Sequence, residues 1–297
     1  MPTALGEAEP LGLTPAPEEP AASGLVRVAL ARWRTRIGLA LTFVVLAIAI
    51  FGPLVAPHDP DAFVGAPYAG PSSVPPLGAD SLGHDVLSEV LCGGRAILLE
   101  ALLATLIGVA VGTIVGMATG YSSSRLGRFV ARANDAALAL PQIVLILLVL
   151  TRIGPSPLVL TLVVAAFHVP LTARVARAAT LRVVEENFIA YAQAIGTSPT
   201  RMMFGEILPN ITTPCSVELG VRFAISTVTL ASLGYLGFGG TGVNWGRMIY
   251  LNQGGLTLQP WAVLAPAIVL GLFVIGVSLV TDGFAAAARR SERGGRA

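Results

Sequence analysis

Apolar runs of membrane length alternate along the chain with short polar segments that hold most of the charge. Residues 37–57 contain no charged side chain and end at a proline. At about 1.5 Å per helical residue such a run crosses the ~30 Å hydrocarbon layer of a bilayer. A second run, 96–121, is interrupted only by Glu100 and carries Gly108, Gly112, Gly116 and Gly120 at every fourth position. A stripe of small residues at that spacing lets another helix come close. Runs at 136–150 and 158–171 are separated by Arg152 and the breaker sequence Gly154-Pro155-Ser156-Pro157, which predicts a helical hairpin. Two more spans lie within 213–238 and 261–280. The pattern predicts an all-α integral membrane protein with six transmembrane helices.

Composition agrees with the pattern. Only 12% of residues are charged, 54% are hydrophobic, and the mean hydropathy is +0.75, against about 25% charged in an ordinary soluble domain. All nineteen basic residues are arginine, so the phosphate-binding lysine of a Walker A loop has no source in this chain, and ATP hydrolysis, if used, takes place on another chain. With the N-terminus inside, fifteen of the nineteen arginines fall in cytoplasmic segments: Arg27, Arg32, Arg34 and Arg36; Arg125, Arg128 and Arg132; Arg174, Arg177, Arg182 and Arg201; Arg289, Arg290, Arg293 and Arg296. The rule that basic residues stay inside therefore predicts both termini cytoplasmic. The first 26 residues include Glu7, Glu9, Glu18 and Glu19 with five prolines and no apolar core, which predicts a disordered tail rather than a secretory signal. Cys92 and Cys215 fall near opposite membrane faces, too far apart for a disulfide.

Few side chains suggest chemistry. Glu218 and Arg222 stand four apart in the fifth span and can pair on one helix face, as a structural ion pair or as part of the pathway lining. Glu100 can reach water from the outer end of its span, and His168 reads as a packed polar residue. His84 and Asp85 are adjacent with no further histidine nearby in sequence, so no metal-ligand or nucleophile set is expected there. Asp80 is expected instead to cap a short amphipathic helix on the outer membrane surface. The two long outer segments, 58–94 and 239–260, are long enough to form a cap or docking surface. The inner segment 173–210 is polar, includes Glu185, Glu186 and Glu206, and reads as helical on both sides of Gly196.

That inner segment carries Asn187-Phe188-Ile189-Ala190-Tyr191-Ala192-Gln193-Ala194-Ile195-Gly196 and then Glu206-Ile207-Leu208-Pro209-Asn210. It resembles the EAA loop of binding-protein-dependent ABC importer permeases, with Ala190 where the loop's leading Glu stands. Pro76-Leu77-Gly78-Ala79-Asp80-Ser81-Leu82-Gly83-His84-Asp85-Val86-Leu87-Ser88 is similar to the signature of the C-type peptide and nickel permeases, with Ala79 and His84 replacing the usual Thr and Arg. Ala118-Thr119-Gly120-Tyr121, Leu138-Ala139-Leu140-Pro141, Ala231-Ser232-Leu233-Gly234-Tyr235-Leu236-Gly237-Phe238-Gly239, Trp245-Gly246-Arg247-Met248 and Asp282-Gly283 continue the series in order. A departure is Leu230, where related subunits often carry Glu.

The resemblance spans roughly 33–287 and implies the type I ABC importer permease fold. It divides the chain into a tail 1–26, a basic pre-membrane segment 27–36, a first helix 37–57, an extracytoplasmic segment 58–95, a five-span core 96–287 with a coupling loop at about 185–210, and a basic tail 288–297. Glu185, Glu186, Ala190, Tyr191, Ala192 and Gly196 would form the coupling surface toward an ATPase, and Asp80, Gly83, Asp85 and Trp245 the outer entrance. Implied partners are a second permease subunit, two ATP-binding-cassette ATPase subunits and an extracytoplasmic substrate-binding protein, with no nucleic acid, cofactor, metal or catalytic residue. The implied cargo is a dipeptide or oligopeptide, with glutathione or a nickel chelate as alternatives. A six-helix secondary carrier acting alone would need intramembrane acid clusters or inverted repeats, and neither is found.

Overall fold

The computed structural model describes residues 27–72, 75–122, 124–240 and 242–294. The acidic segment 1–26 expected to form a disordered tail lies outside the described residues, as do 295–297. Helix α1 is Trp33–Val55, α2 Val86–Tyr121, α3 Arg125–Ala137, α4 Gln142–Ile153, α5 Pro157–Val184, α6 Asn187–Ala194, α7 Leu208–Leu233, α8 Trp245–Asn252 and α9 Trp261–Gly294. Side-chain caps set several starts. Asp85 accepts from Leu87 N at α2, Ser124 from Gly127 N at α3, Ser156 from Val159 N at α5, and Asn244 from Arg247 N at α8, each satisfying a donor that the first helical turn leaves open.

The expected spans 37–57, 96–121, 213–238 and 261–280 fall on long apolar helices. The other two differ from expectation. The run 136–150 is not one straight helix: α3 stops at Ala137, and α4 starts after Pro141 at an 89° bend. Proline has no N–H to continue the ladder and disfavours α geometry in the residue before it. The run 158–171 is the first half of a 28-residue helix that continues through Pro170 to Val184, so the polar inner segment leaves the bundle at Glu185 rather than at Ala173. Among the described residues five continuous helices are long and apolar enough to cross a membrane, six if the bent α3–α4 pair counts as one span.

The glycine stripe decides the central packing. A Cβ on Gly112 would lie 2.7 Å from Thr172 Cβ, and one on Gly116 2.6 Å from Ala173 O and Ala176 Cβ. Helices α2 and α5 therefore run together at a distance that any side chain would forbid. Gly38 and Gly276 bring α1 against α9 in the same way. The largest core cluster joins α1, α2, α5, α7, α8 and α9 around Val90, Leu98, Val164, Leu233, Trp245 and Phe273. A second cluster lies at the opposite end of α2, where Met117 packs with Ala176, Ile189, Met202, Ile207 and Ile211. From Val90 to Met117 is about 40 Å of helix, so the bundle has two well-separated ends, an α8 end and an α6 end. Between them, large apolar side chains such as Phe43, Leu102, Leu106 and Ile268 point outward, as lipid-facing residues must where there is no aqueous penalty for exposure.

Candidate coupling surface and transport path

At the α6 end, α5 stops at Glu185 and the chain turns into α6 at Glu186. The short helix is anchored by two residues: Ile189 is fully buried and Ala192 nearly so, both in the Met117 cluster. Its other face is bare. Tyr191 is 70% exposed and Ile195 65%, and Ala190, Glu185 and Glu186 are also exposed. Of the residues expected to form the coupling surface, Ala192 packs inward, while Ala190 and Tyr191 face away from the bundle. The helix closes at Gly196 with φ +82°, a left-handed backbone that costs other residues about 1–2 kcal/mol. Beyond it Pro199–Arg201 and a π-helical turn, Met202–Ile207, lead into α7. A cleft of about 530 Å³ is bounded by Tyr191, Ile195 and Gly196 of α6 and its end and by Arg201 and Glu206 of the turns that follow.

Midway along the bundle a buried polar layer joins α2, α5 and α7. His168 Nε2 and Ser226 Oγ are 2.7 Å apart, and Thr105 Oγ1 lies 2.9 Å from the same hydroxyl. One helix turn away, Arg222 donates from Nε to Glu218 Oε2 at 2.8 Å, and Thr172 Oγ1 approaches that oxygen at 3.5 Å. Glu218 and Arg222 do pair, and both are buried. His168 is packed as expected, against Thr105 and Ser226, whose part in the layer the sequence does not signal. Threonine and serine give no signal in sequence because either can bond its own helix backbone. Toward the α8 end, Glu100 opens with Leu160, Leu230 and Asn244 on a cavity of about 430 Å³. Leu230, the departure from the related pattern, thus lines a cavity wall.

The α8 end is a cap built from the 58–85 segment. No amphipathic helix forms at Asp80; Gly78 and Gly83 take φ of +79° and +86°, which breaks helical geometry, and the Asp80 carboxylate instead caps a tight turn at Leu82 N and His84 N. Asp85 receives His58 Nδ1 at 3.1 Å and Ser88 Oγ at 2.7 Å on one carboxylate oxygen. Trp245 packs closely against Gly93 and Gly94 and donates from Nε1 to Val90 O. Asp80, Gly83, Asp85 and Trp245, expected to face the entrance, are all buried. They frame the cap rather than offer contact, while Phe63 and Leu82 present its exposed apolar surface. Gln259 donates to Ala69 O and Leu77 O, and Asn252 accepts from Ser81 N, tying the cap to the α8–α9 connection across more than 170 residues of chain.

Long apolar helices around a buried polar layer, with one small helix anchored at the bundle end and bare on its other face, define a polytopic membrane permease subunit. The chain belongs to the family described as binding-protein-dependent transport system inner membrane component, whose profile matches residues 108–293. It is similar to the di/tripeptide transport system permease protein of Pseudomonas aeruginosa, 29% identical over 255 residues covering 83% of this chain and 84% of that one. It is also similar to the dipeptide transport system permease protein of Haemophilus influenzae, 30% identical with 83% and 87% covered. The glutathione transport system permease protein of Salmonella typhimurium is 33% identical over 242 residues, with 80% of each chain covered.

Proposed function

We propose that this chain is one of two different permease subunits of an ATP-driven importer of short peptides. Two ATPase subunits would act on α6, and an extracytoplasmic binding protein would deliver cargo at the α8 end. The observation that carries the reading is α6 itself: a helix fixed to the bundle by Ile189 and Ala192 yet exposing Tyr191 and Ile195 can be pushed as a rigid lever by a partner. The arginine distribution supports the α6 end as cytoplasmic. The proposed pathway lies between the two permeases, and its opening alternates with ATP hydrolysis by rocking of helix bundles. This chain would have no catalytic role. Short peptides are favoured because two of the relatives above are named for dipeptide or di/tripeptide transport. Glutathione, itself a modified tripeptide, is the second reading because a relative at 33% identity is named for it.

The test is affinity capture of the chain from detergent-solubilised membranes with mass spectrometry of what accompanies it, paired with uptake of radiolabelled dipeptide by cells with and without the gene. Recovery of a second permease and ABC ATPases, with gene-dependent uptake, is expected. A chain recovered alone would sink the assembly. Uptake competed by glutathione but not by dipeptides would replace the cargo and leave the assembly standing.

A further inference from the structure

The cap brings three ligating side chains together at the head of α2, at the far end of the bundle from α6. Asp80 is locked by its turn: Oδ1 accepts from Leu82 N at 2.8 Å and from His84 N at 2.7 Å. That leaves Oδ2 directed at the imidazole, 3.5 Å from His84 Nδ1. Glu89, in the first turn of α2, brings Oε1 to 4.0 Å from the same nitrogen. One ligand atom from each of the three residues lies within 4.8 Å of the others. The adjacency of His84 and Asp85 concealed this set, because the partners of His84 stand four residues before it and five after.

Two observations beyond the clustering point to a missing partner. Asp80 is 1% exposed and Glu89 5%, yet Asp80 Oδ2 and Glu89 Oε2 have no hydrogen bond. A buried acceptor left unmade is costly, and more so when charged. The three residues also line a cavity of about 100 Å³ with Asp61, Asn244 and Arg247, room for an ion and its water. Among the charged groups that act on Glu89 are Asp61, Asp80 and Asp85 with Arg247 as the cation, so the local field favours added positive charge.

We propose that Asp80, His84 and Glu89 form a site for a divalent cation of the zinc class, which pins the 58–85 segment to the head of α2. One imidazole nitrogen and two carboxylate oxygens suit zinc, with water as the fourth ligand. Bonds of 2.0–2.2 Å in a tetrahedron set ligand atoms about 3.4 Å apart, close to the 3.5 and 4.0 Å present. Calcium and magnesium demand six or more ligands that are nearly all oxygen, which this set does not supply.

The test uses the tag-free full-length chain in its native complex, stripped with a chelator, loaded with zinc chloride and passed through gel filtration, with bound metal counted by mass spectrometry. One zinc per chain is expected in excess of the His84→Arg variant, with zinc raising the melting temperature of the wild type alone. Cobalt chloride in place of zinc should give the visible d–d absorption of a four-coordinate nitrogen–oxygen site, lost in Glu89→Gln. His84→Arg restores the cation of the related pattern, so it remains informative if Glu89→Gln fails to fold. Equal zinc in wild type and His84→Arg, or none in either, overturns the site.

Discussion

Ser226 holds the middle of the bundle together with a single hydroxyl. Its Oγ meets both His168 and Thr105, and all three residues are buried. Ser226→Ala removes a shared partner from a buried imidazole, and should cost about 1–3 kcal/mol, read as a lower melting temperature in detergent. The Glu218–Arg222 pair should behave more sharply. Glu218→Gln leaves a buried guanidinium without its counter-charge, a loss of about 3–5 kcal/mol. Glu218→Gln combined with Arg222→Met should cost less than Glu218→Gln alone. Additive losses in that double-mutant cycle would mean that the two side chains act separately. The pair was legible in sequence because its spacing is local; the serine was not, because its two partners come from other helices.

At the scale of the element, the α2–α5 contact and α6 make opposite demands on glycine. Gly116→Val would drive a side chain into Ala173 O and Ala176, and overpacking of this kind typically costs 1–3 kcal/mol. Helix α2 would separate from α5, detected as faster amide exchange along both. Gly196 has open space around it, so Gly196→Val costs only the strain of its left-handed backbone, about 1–2 kcal/mol. The complex should then assemble normally while substrate-stimulated ATPase activity falls sharply; unchanged stimulation would exclude α6 as the lever. The glycine spacing announced close packing in the sequence, but the partner helix was unstated. The division of α6 into a buried anchor, Ile189 and Ala192, and an exposed face, Tyr191 and Ile195, needed the bundle to be present.

For the whole molecule, the two ends of α2 should face opposite compartments. In a background with Cys92 and Cys215 replaced by serine, Leu82→Cys in the cap should react with a membrane-impermeant maleimide added to intact cells. Ile195→Cys on α6 should react only after the membrane is opened. Both positions are exposed, 57% and 65%, so accessibility alone does not separate them, and the reverse labelling order would invert the proposed orientation.

What the sequence determined by itself was whatever depends on local composition: the long apolar helices, the charge asymmetry of the loops, the ordered motifs of the family, and the four-residue pairing of Glu218 with Arg222. Periodicity and hydropathy are properties of neighbouring residues, and the bilayer reads them directly. Tertiary structure decided the rest. It bent the third span at Pro141, extended the fourth to Val184, and replaced the expected surface helix at Asp80 with a turn around a buried carboxylate. The cap depends on Asn252 and Gln259 reaching back to Ser81, Ala69 and Leu77. It also turned His84 toward Asp80 and Glu89 rather than its neighbour Asp85. Contacts between residues far apart in sequence form only once the helices have packed, because a hydrogen bond depends on the positions of two chain segments and a linear pattern specifies one.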